Sequence, residues 1–270
     1  MFLTGEKMVK RIRFVKEYCL ALACTIYVFA LGFFVRRNRA LISLILRHFG
    51  LEPKARPEVR PLLPQIEVSE IVKKDHPIRL TEPLFRQGST TLIELWVIDQ
   101  LVKEFNPEAL FEMGTLDGRT TLNLAANSNE QAKVYTLDLP REQMNATKFK
   151  LEKIERWTAD KARSGSQFLG KPEARKITQL YGDTAAFDFS PYLNRMDFVF
   201  VDASHAYEYV VNDSLIALRL LKNGKGIILW DDYHGCPGVT QALNEFYKTR
   251  PEFKQLCWIR GTELAYWACF

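Results

Sequence analysis

What this chain lacks narrows the reading before any motif does. Its five cysteines, Cys19, Cys24, Cys236, Cys257 and Cys269, fall at no paired or metal-ligand spacing. The spacing therefore supports neither a disulfide framework nor a zinc site. Excess charge is modest, +5 over 270 residues, with much of the basic character in the first 60. That distribution argues against a nucleic-acid-binding face on the main domain and points to a membrane surface near the N-terminus. The Gly-x-Gly-x-x-Gly of dinucleotide binding is missing, and no lysine follows Gly118 as a phosphate loop would require. Hydrophobic residues at 47% and charged residues at 26% fit a globular chain, long enough for one good-sized domain and an appendage.

One long apolar run is present. Tyr18 to Val35 carries no charge, with Lys10, Arg11, Arg13 and Lys16 on one side and Arg36, Arg37 and Arg39 on the other. At about 1.5 Å per residue a helix of that length just reaches across a hydrocarbon core of roughly 30 Å. The run predicts a retained single-pass anchor over 18–35, behind a basic segment 1–17, with a buried or docked helix as the alternative. The balanced flanking charges leave orientation open. Ala40 to Leu51 offers an apolar face suited to an interfacial helix, and Glu52 to Pro64 carries four prolines. Residues 36–81 thus read as an amphipathic segment and linker, and 82–270 as the main domain.

The main domain is organised around Leu110 to Thr121, LFEMGTLDGRTT. A short apolar strand runs into a glycine turn and then a helix whose free N–H groups favour a polar or anionic ligand. Five strands follow the same logic: Ala109–Met113, Lys133–Leu137, Lys176–Leu180, Met196–Val201 and Gly226–Trp230. Helices are expected over Ser89–Phe105, Ala146–Ala162, Tyr207–Leu221 and Val239–Tyr247. Two final strands, Phe253–Arg260 and Leu264–Phe270, are joined by Gly261-Thr262. Asp138 ends the second strand, a position that holds ribose hydroxyls in nucleotide-type folds; a turn-capping aspartate is the equally simple reading. The long polar connection from Arg141 to Arg175 suits a lid or substrate wall.

Taken together, FEMGTLDGRTTLNLA, VYTLDLP, the GDTAAFDFSPY run and MDFVFVDASHAYEYV…LLKNGKGIILWDDY resemble the class I S-adenosylmethionine (SAM) methyltransferases of the methyltransferase-24 type. The resemblance covers about 82–270. It implies a Rossmann-like α/β fold, a seven-stranded mostly parallel sheet with a C-terminal antiparallel hairpin; the N-terminal hydrophobic helix read from the apolar run lies outside the resemblance. It also implies that Glu112, Gly114 and Gly118 hold the methionine end and ribose side of SAM, that Asp138 takes the ribose hydroxyls, and that Asp183 and Thr184 sit near the adenine. Asp202 would face the methyl donor.

Methyl transfer to a hydroxyl needs alignment plus a base or a metal. Asp202 and His205 can share one cleft, and Asp231 and Asp232 follow the neighbouring strand. Three carboxylates, Asp202, Asp231 and Asp232, suit a hard divalent ion such as Mg²⁺. His205 is the candidate base, although it can instead orient Asp202 or cap the following helix. Some relatives carry His where this chain has Asp231, so a metal is not implied for all of them. The expectation is a membrane-anchored enzyme facing the cytoplasm and methylating a small-molecule, sugar or lipid-linked hydroxyl acceptor, of open oligomeric state. A catalytically inactive membrane scaffold and an NAD(P)-dependent oxidoreductase are the competing readings. A nucleic-acid methyltransferase is disfavoured, because Asp202-Ala203-Ser204-His205 is not an Asn/Asp-Pro-Pro-aromatic tetrad.

Overall fold

The computed structural model describes residues 3–35, 59–84, 88–151 and 163–270, with isolated positions 38, 41, 42, 45, 155 and 161 between them. It divides into two compact units, 1–58 and 59–270. In the first, helix α1 (Leu3–Ala30) is followed by a 3₁₀ turn over Gly32–Phe34. Only residues 18–30 of the apolar run lie in this helix, about 20 Å at 1.5 Å per residue, short of a bilayer core. Extending the window towards the N-terminus takes in Arg13, Lys16 and Glu17. Among the described residues no helix is long and apolar enough to cross a membrane. The single-pass anchor expected over 18–35, and the membrane localisation inferred from it, are therefore corrected. The interfacial helix expected over 40–51 falls almost wholly outside the described residues.

The second unit is one sheet flanked by helices. Its strands are β1 (Gln65–Ile66), β2 (Ala109–Met113), β3 (Lys133–Asp138), β4 (Ile177–Tyr181), β5 (Phe198–Val201), β6 (Gly226–Trp230), β7 (Cys257–Ile259) and β8 (Ala265–Cys269). Their spatial order is β1-β7-β8-β6-β5-β2-β3-β4. Pairing is parallel throughout, except that β8 runs antiparallel to both β6 and β7. Alternation along the strands splits the core into two layers. Phe111, Met113, Val199, Val201, Ile228 and Trp230 pack on one face, and Leu110, Val134, Phe198, Phe200, Ile227 and Leu229 on the other. Both faces are covered, which is why the central strands read as continuous apolar runs.

The helices are α2 (Val68–Ile71), α3 (Leu92–Phe105), α4 (Arg119–Asn127), α5 (Tyr207–Leu220) and α6 (Pro237–Thr249). A capping box starts α3: Thr91 Oγ1 accepts from Glu94 N while Glu94 returns a carboxylate oxygen to Thr91 N. Asn106, in the left-handed region, ends it. The sheet has eight strands, not the seven expected. The extra one is β1, from the stretch read as linker. There the backbone N–H groups of Leu62 and Leu63 donate to Tyr233 Oη at 2.8 and 3.0 Å, and Asn244 Nδ2 donates to Arg60 O. These bonds stitch residues 60–66 to α6 and to the turn before it. In the Arg141–Arg175 connection, residues 146–151 are not helical, and most of the remainder of the helix expected over 146–162 lies outside the described residues.

Candidate active site

All five parallel strands from β2 to β6 point their carboxyl ends towards one side of the sheet, and a cavity of about 420 Å³ lies there. The turn after β2 forms its floor. Gly114 has φ +97°, and a Cβ on it would lie 1.9 Å from the Asp202 carbonyl oxygen, so the turn rests directly on the end of β5. Gly118 has a different task. A Cβ there would lie 2.7 Å from Gly165 Cα and from the Phe168 ring. It receives the 164–170 loop, whose Gly165 N and Gln167 N donate to Leu116 O and Asp117 O.

The carboxylates on this half of the cavity are already supplied with donors. Glu112 is fully buried and does not line the cavity. It accepts from the hydroxyls of Thr121 and Thr136, the latter at 2.6 Å, and its other oxygen has no partner among the described residues. Burial pushes its pKa up to about 8, against the lowering effect of the two hydroxyls. Its place is beneath the glycine turn, holding β2, β3 and α4 together. Asp138 does line the cavity, paired with Lys161 Nζ at 2.8 Å and accepting from Ser164 Oγ. Asp183 accepts from Lys148 N at 2.7 Å and Ala185 N at 3.0 Å. Thr184 also faces the cavity, although its hydroxyl donates to the buried Asp213 at 3.1 Å.

Beyond β5 and β6 the pattern reverses. Asp202, Asp231 and Asp232 all line the cavity. Burial first, and then mutual repulsion, pushes Asp202 and Asp231 well above the usual carboxylate range. Asp232 also suffers from burial, but the hydrogen bond and charge of His205 hold it below that range. His205 Nε2 lies 2.8 Å from Asp232 Oδ2. Burial lowers its pKa, yet hydrogen bonding to Asp232 and Cys236 and the Asp232 charge outweigh that and raise it to about 12. These contacts favour the imidazolium form of His205.

Of the residues singled out from the sequence, Gly114, Asp138, Asp183, Thr184, Asp202, His205, Asp231 and Asp232 meet in this cavity, whereas Glu112 and Gly118 support it from behind. Further polar groups line it, among them Glu94, Glu155, Lys161, Cys236 and Glu263. Glu155 accepts from His205 N at 2.5 Å and Ser204 Oγ at 2.8 Å, and Glu94 accepts from Glu263 N at 2.8 Å. Only Glu94 had a signal in the sequence, the Thr-x-x-Glu of its capping box. The others are brought in by tertiary contacts.

The residues present fit SAM. The cavity falls in the size range of small-molecule sites. Its acids outnumber its bases, which suits a donor bearing a sulfonium and an ammonium group, and an aspartate stands at the tip of β3 where a ribose diol is held. A parallel sheet closed by an antiparallel strand, with a glycine turn after β2 and acids at the tips of β3, β5 and β6, defines a class I SAM-dependent methyltransferase.

Residues 111–233 match the family model Methyltransf_24, described as a methyltransferase domain. No curated protein matches the chain. Among solved structures it is similar to the O-methyltransferase TomG from Streptomyces achromogenes, in complex with SAM: 17% identity, covering 67% of this chain and 82% of that one, TM-score 0.47. It is also similar to the SAH-bound methyltransferase PaMTH1 from Podospora anserina, at 15% identity over 86% of this chain and 95% of that one, TM-score 0.48. An O-methyltransferase from Bacillus cereus in complex with SAH gives 15% identity, 68% and 84% coverage, and a TM-score of 0.46.

Proposed function

We propose that this methyltransferase transfers the methyl group of SAM to a hydroxyl of a small-molecule acceptor, at the β5–β6 end of the cavity. The observation that carries this reading is the convergence of Asp202, His205, Asp231 and Asp232 on the cavity that Asp138 and Asp183 also line. On this reading Asp138 accepts from the ribose hydroxyls in place of Lys161 and Ser164, Asp183 and Thr184 wall the adenine, and the Gly114 turn lies against the methionine end. SAM supplies a methyl group activated by a positively charged sulfur. The chain's part is to align the acceptor oxygen behind that methyl group and to take its proton.

Two arrangements at this end serve that need. Asp202, Asp231 and Asp232 would hold a hard divalent ion such as Mg²⁺ only after their carboxylates draw together, since among the described residues the ligand atoms within 4.8 Å of one another are those of His205, Asp232 and Cys236. Such an ion would supply Lewis-acid polarisation of the acceptor oxygen. The repulsion between Asp202 and Asp231 is what favours a cation there. His205 is the proton acceptor. With Nε2 engaged by Asp232, this role requires that contact to be broken so that Nε2 can face the bound acceptor. The lipid-linked acceptor suggested by a membrane anchor loses its support with the anchor itself.

The test uses the full chain with SAM labelled in its methyl group and a panel of phenolic, sugar and aliphatic hydroxyl acceptors, with Mg²⁺ or with EDTA. Label transferred to a hydroxyl in a Mg²⁺-dependent manner supports both parts. Transfer unaffected by EDTA would remove the metal, and label found only on amines would remove the O-methylation.

A further inference from the structure

We propose that His205, Asp232 and Cys236 form a second, thiolate-containing cation site that takes a zinc-class ion at the acceptor end of the cavity. One ligand atom from each residue, imidazole nitrogen, carboxylate oxygen and sulfur, can be chosen so that all three lie within 4.8 Å of one another. Donors held at about 2.0–2.3 Å by a tetrahedral ion lie roughly 3.3–3.7 Å apart, so movements of about 1 Å complete the set.

Backbone features make the juxtaposition. Asp232 has φ +60°, and the turn it opens brings Cys236 N to Asp232 O at 3.0 Å. Cys236 caps α6, and Gly238 in its first turn has no Cβ; one would lie 2.2 Å from His205 O. The start of α6 therefore packs directly on the His205 backbone. All three side chains line the cavity, which leaves the fourth coordination position open to it.

The chemistry discriminates between ions. Magnesium takes oxygen ligands and gains nothing from sulfur or imidazole, whereas zinc accepts nitrogen, thiolate and carboxylate together. Asp202, Asp231 and Glu263 line the same cavity and attract either cation. Binding would release two protons, one from His205 Nε2 and one from the Cys236 thiol. The ion then meets two anionic donors and one neutral donor, and affinity rises with pH. With His205 and Asp232 ligated, neither serves the acceptor, so zinc silences transfer. That consequence rests on the roles proposed above; the binding does not.

The experiment is titration of the full chain with Co²⁺ as a spectroscopic stand-in for zinc, in a background where the exposed Cys19 and Cys24 are serine. One equivalent should give a near-ultraviolet thiolate-to-cobalt band that excess Zn²⁺ removes and Mg²⁺ does not. Cys236→Ser should abolish the band and weaken zinc binding by at least about 100-fold, beyond the 10–100-fold of an outer-shell change. His205→Gln should weaken it comparably. SAM binding by Cys236→Ser, measured by calorimetry, reports that the variant is folded. The absence of a thiolate band at one equivalent, or its survival in Cys236→Ser, overturns the site. Neither outcome touches the methyltransferase reading, which stands or falls on SAM heat and label transfer.

Discussion

The two halves of the cavity treat their carboxylates in opposite ways. Around β2, β3 and β4 each acid has its own donors: Thr121 and Thr136 for Glu112, Lys161 and Ser164 for Asp138, and the amides of Lys148 and Ala185 for Asp183. Around β5 and β6 three aspartates line the cavity, and His205 pairs with one of them, Asp232. In the first half a cofactor's hydroxyls would have to replace donors already in place, Lys161 and Ser164 on Asp138. In the second, burial and neighbouring carboxylates hold Asp202 and Asp231 well above the usual carboxylate range.

The sharpest way to break this contrast is Asp232→Asn. It removes both the partner of His205 and one of the three carboxylates. We expect kcat/KM to fall roughly 1000-fold, as loss of several kcal/mol of Lewis-acid and base function implies, with SAM affinity nearly unchanged. A variant that turns over normally with Mg²⁺ would show that the acidic cluster is inert.

Next in size is Gly114→Val, whose Cβ would collide with the Asp202 carbonyl where the halves touch. SAM affinity should drop about 100-fold, with lower thermal stability, by calorimetry and melting. Parental affinity in a folded variant would mean that the turn is not the cradle.

Asp138→Ala should weaken SAM by about 10-fold, the value of a charge-assisted hydrogen bond. Unchanged affinity would remove the ribose assignment.

Glu112→Gln sharpens the comparison from behind the cavity. Because Glu112 is buried beneath the turn, SAM affinity should stay within about 3-fold while stability falls by about 1–3 kcal/mol in a denaturant titration. A large affinity loss without destabilisation would return Glu112 to direct contact with SAM.

The smallest effect on function is expected at Asp99. It is fully buried on α3, and burial pushes its pKa up to about 8 against smaller opposing effects of Asn127 and Lys103. Between the unfolded value of 3.8 and about 8, the native chain keeps a proton that the unfolded chain releases. Stability from this group therefore falls as pH rises through that window, by at most about 6 kcal/mol. Asp99→Asn should flatten the decline while leaving turnover intact, measured as melting temperature against pH.

Much of the framework was legible in the sequence because strands and glycine turns are local. The predicted bounds of Ala109–Met113 and Gly226–Trp230 match the observed strands, each an apolar run stopped by Asn-Pro or glycine on one side and by a turn on the other. Two misreadings have identifiable causes. The apolar run at 18–35 was read by its lack of charge, but its helix ends at Ala30, before the run does. Gln65–Ile66 was read as linker because two residues show no alternation, and only pairing with β7 makes them a strand.

By itself the sequence determined the strand–helix alternation, the glycine turn after β2 and the acids that stand at strand tips, since each depends on neighbours within a few positions. Tertiary structure decided which of those residues meet. It placed Glu112 and Gly118 behind the cavity, brought Lys161 to Asp138 and Glu155 to the backbone of His205, and set Cys236 beside His205 and Asp232. Those contacts bring together side chains whose meeting no local spacing encodes, because it depends on how distant elements pack.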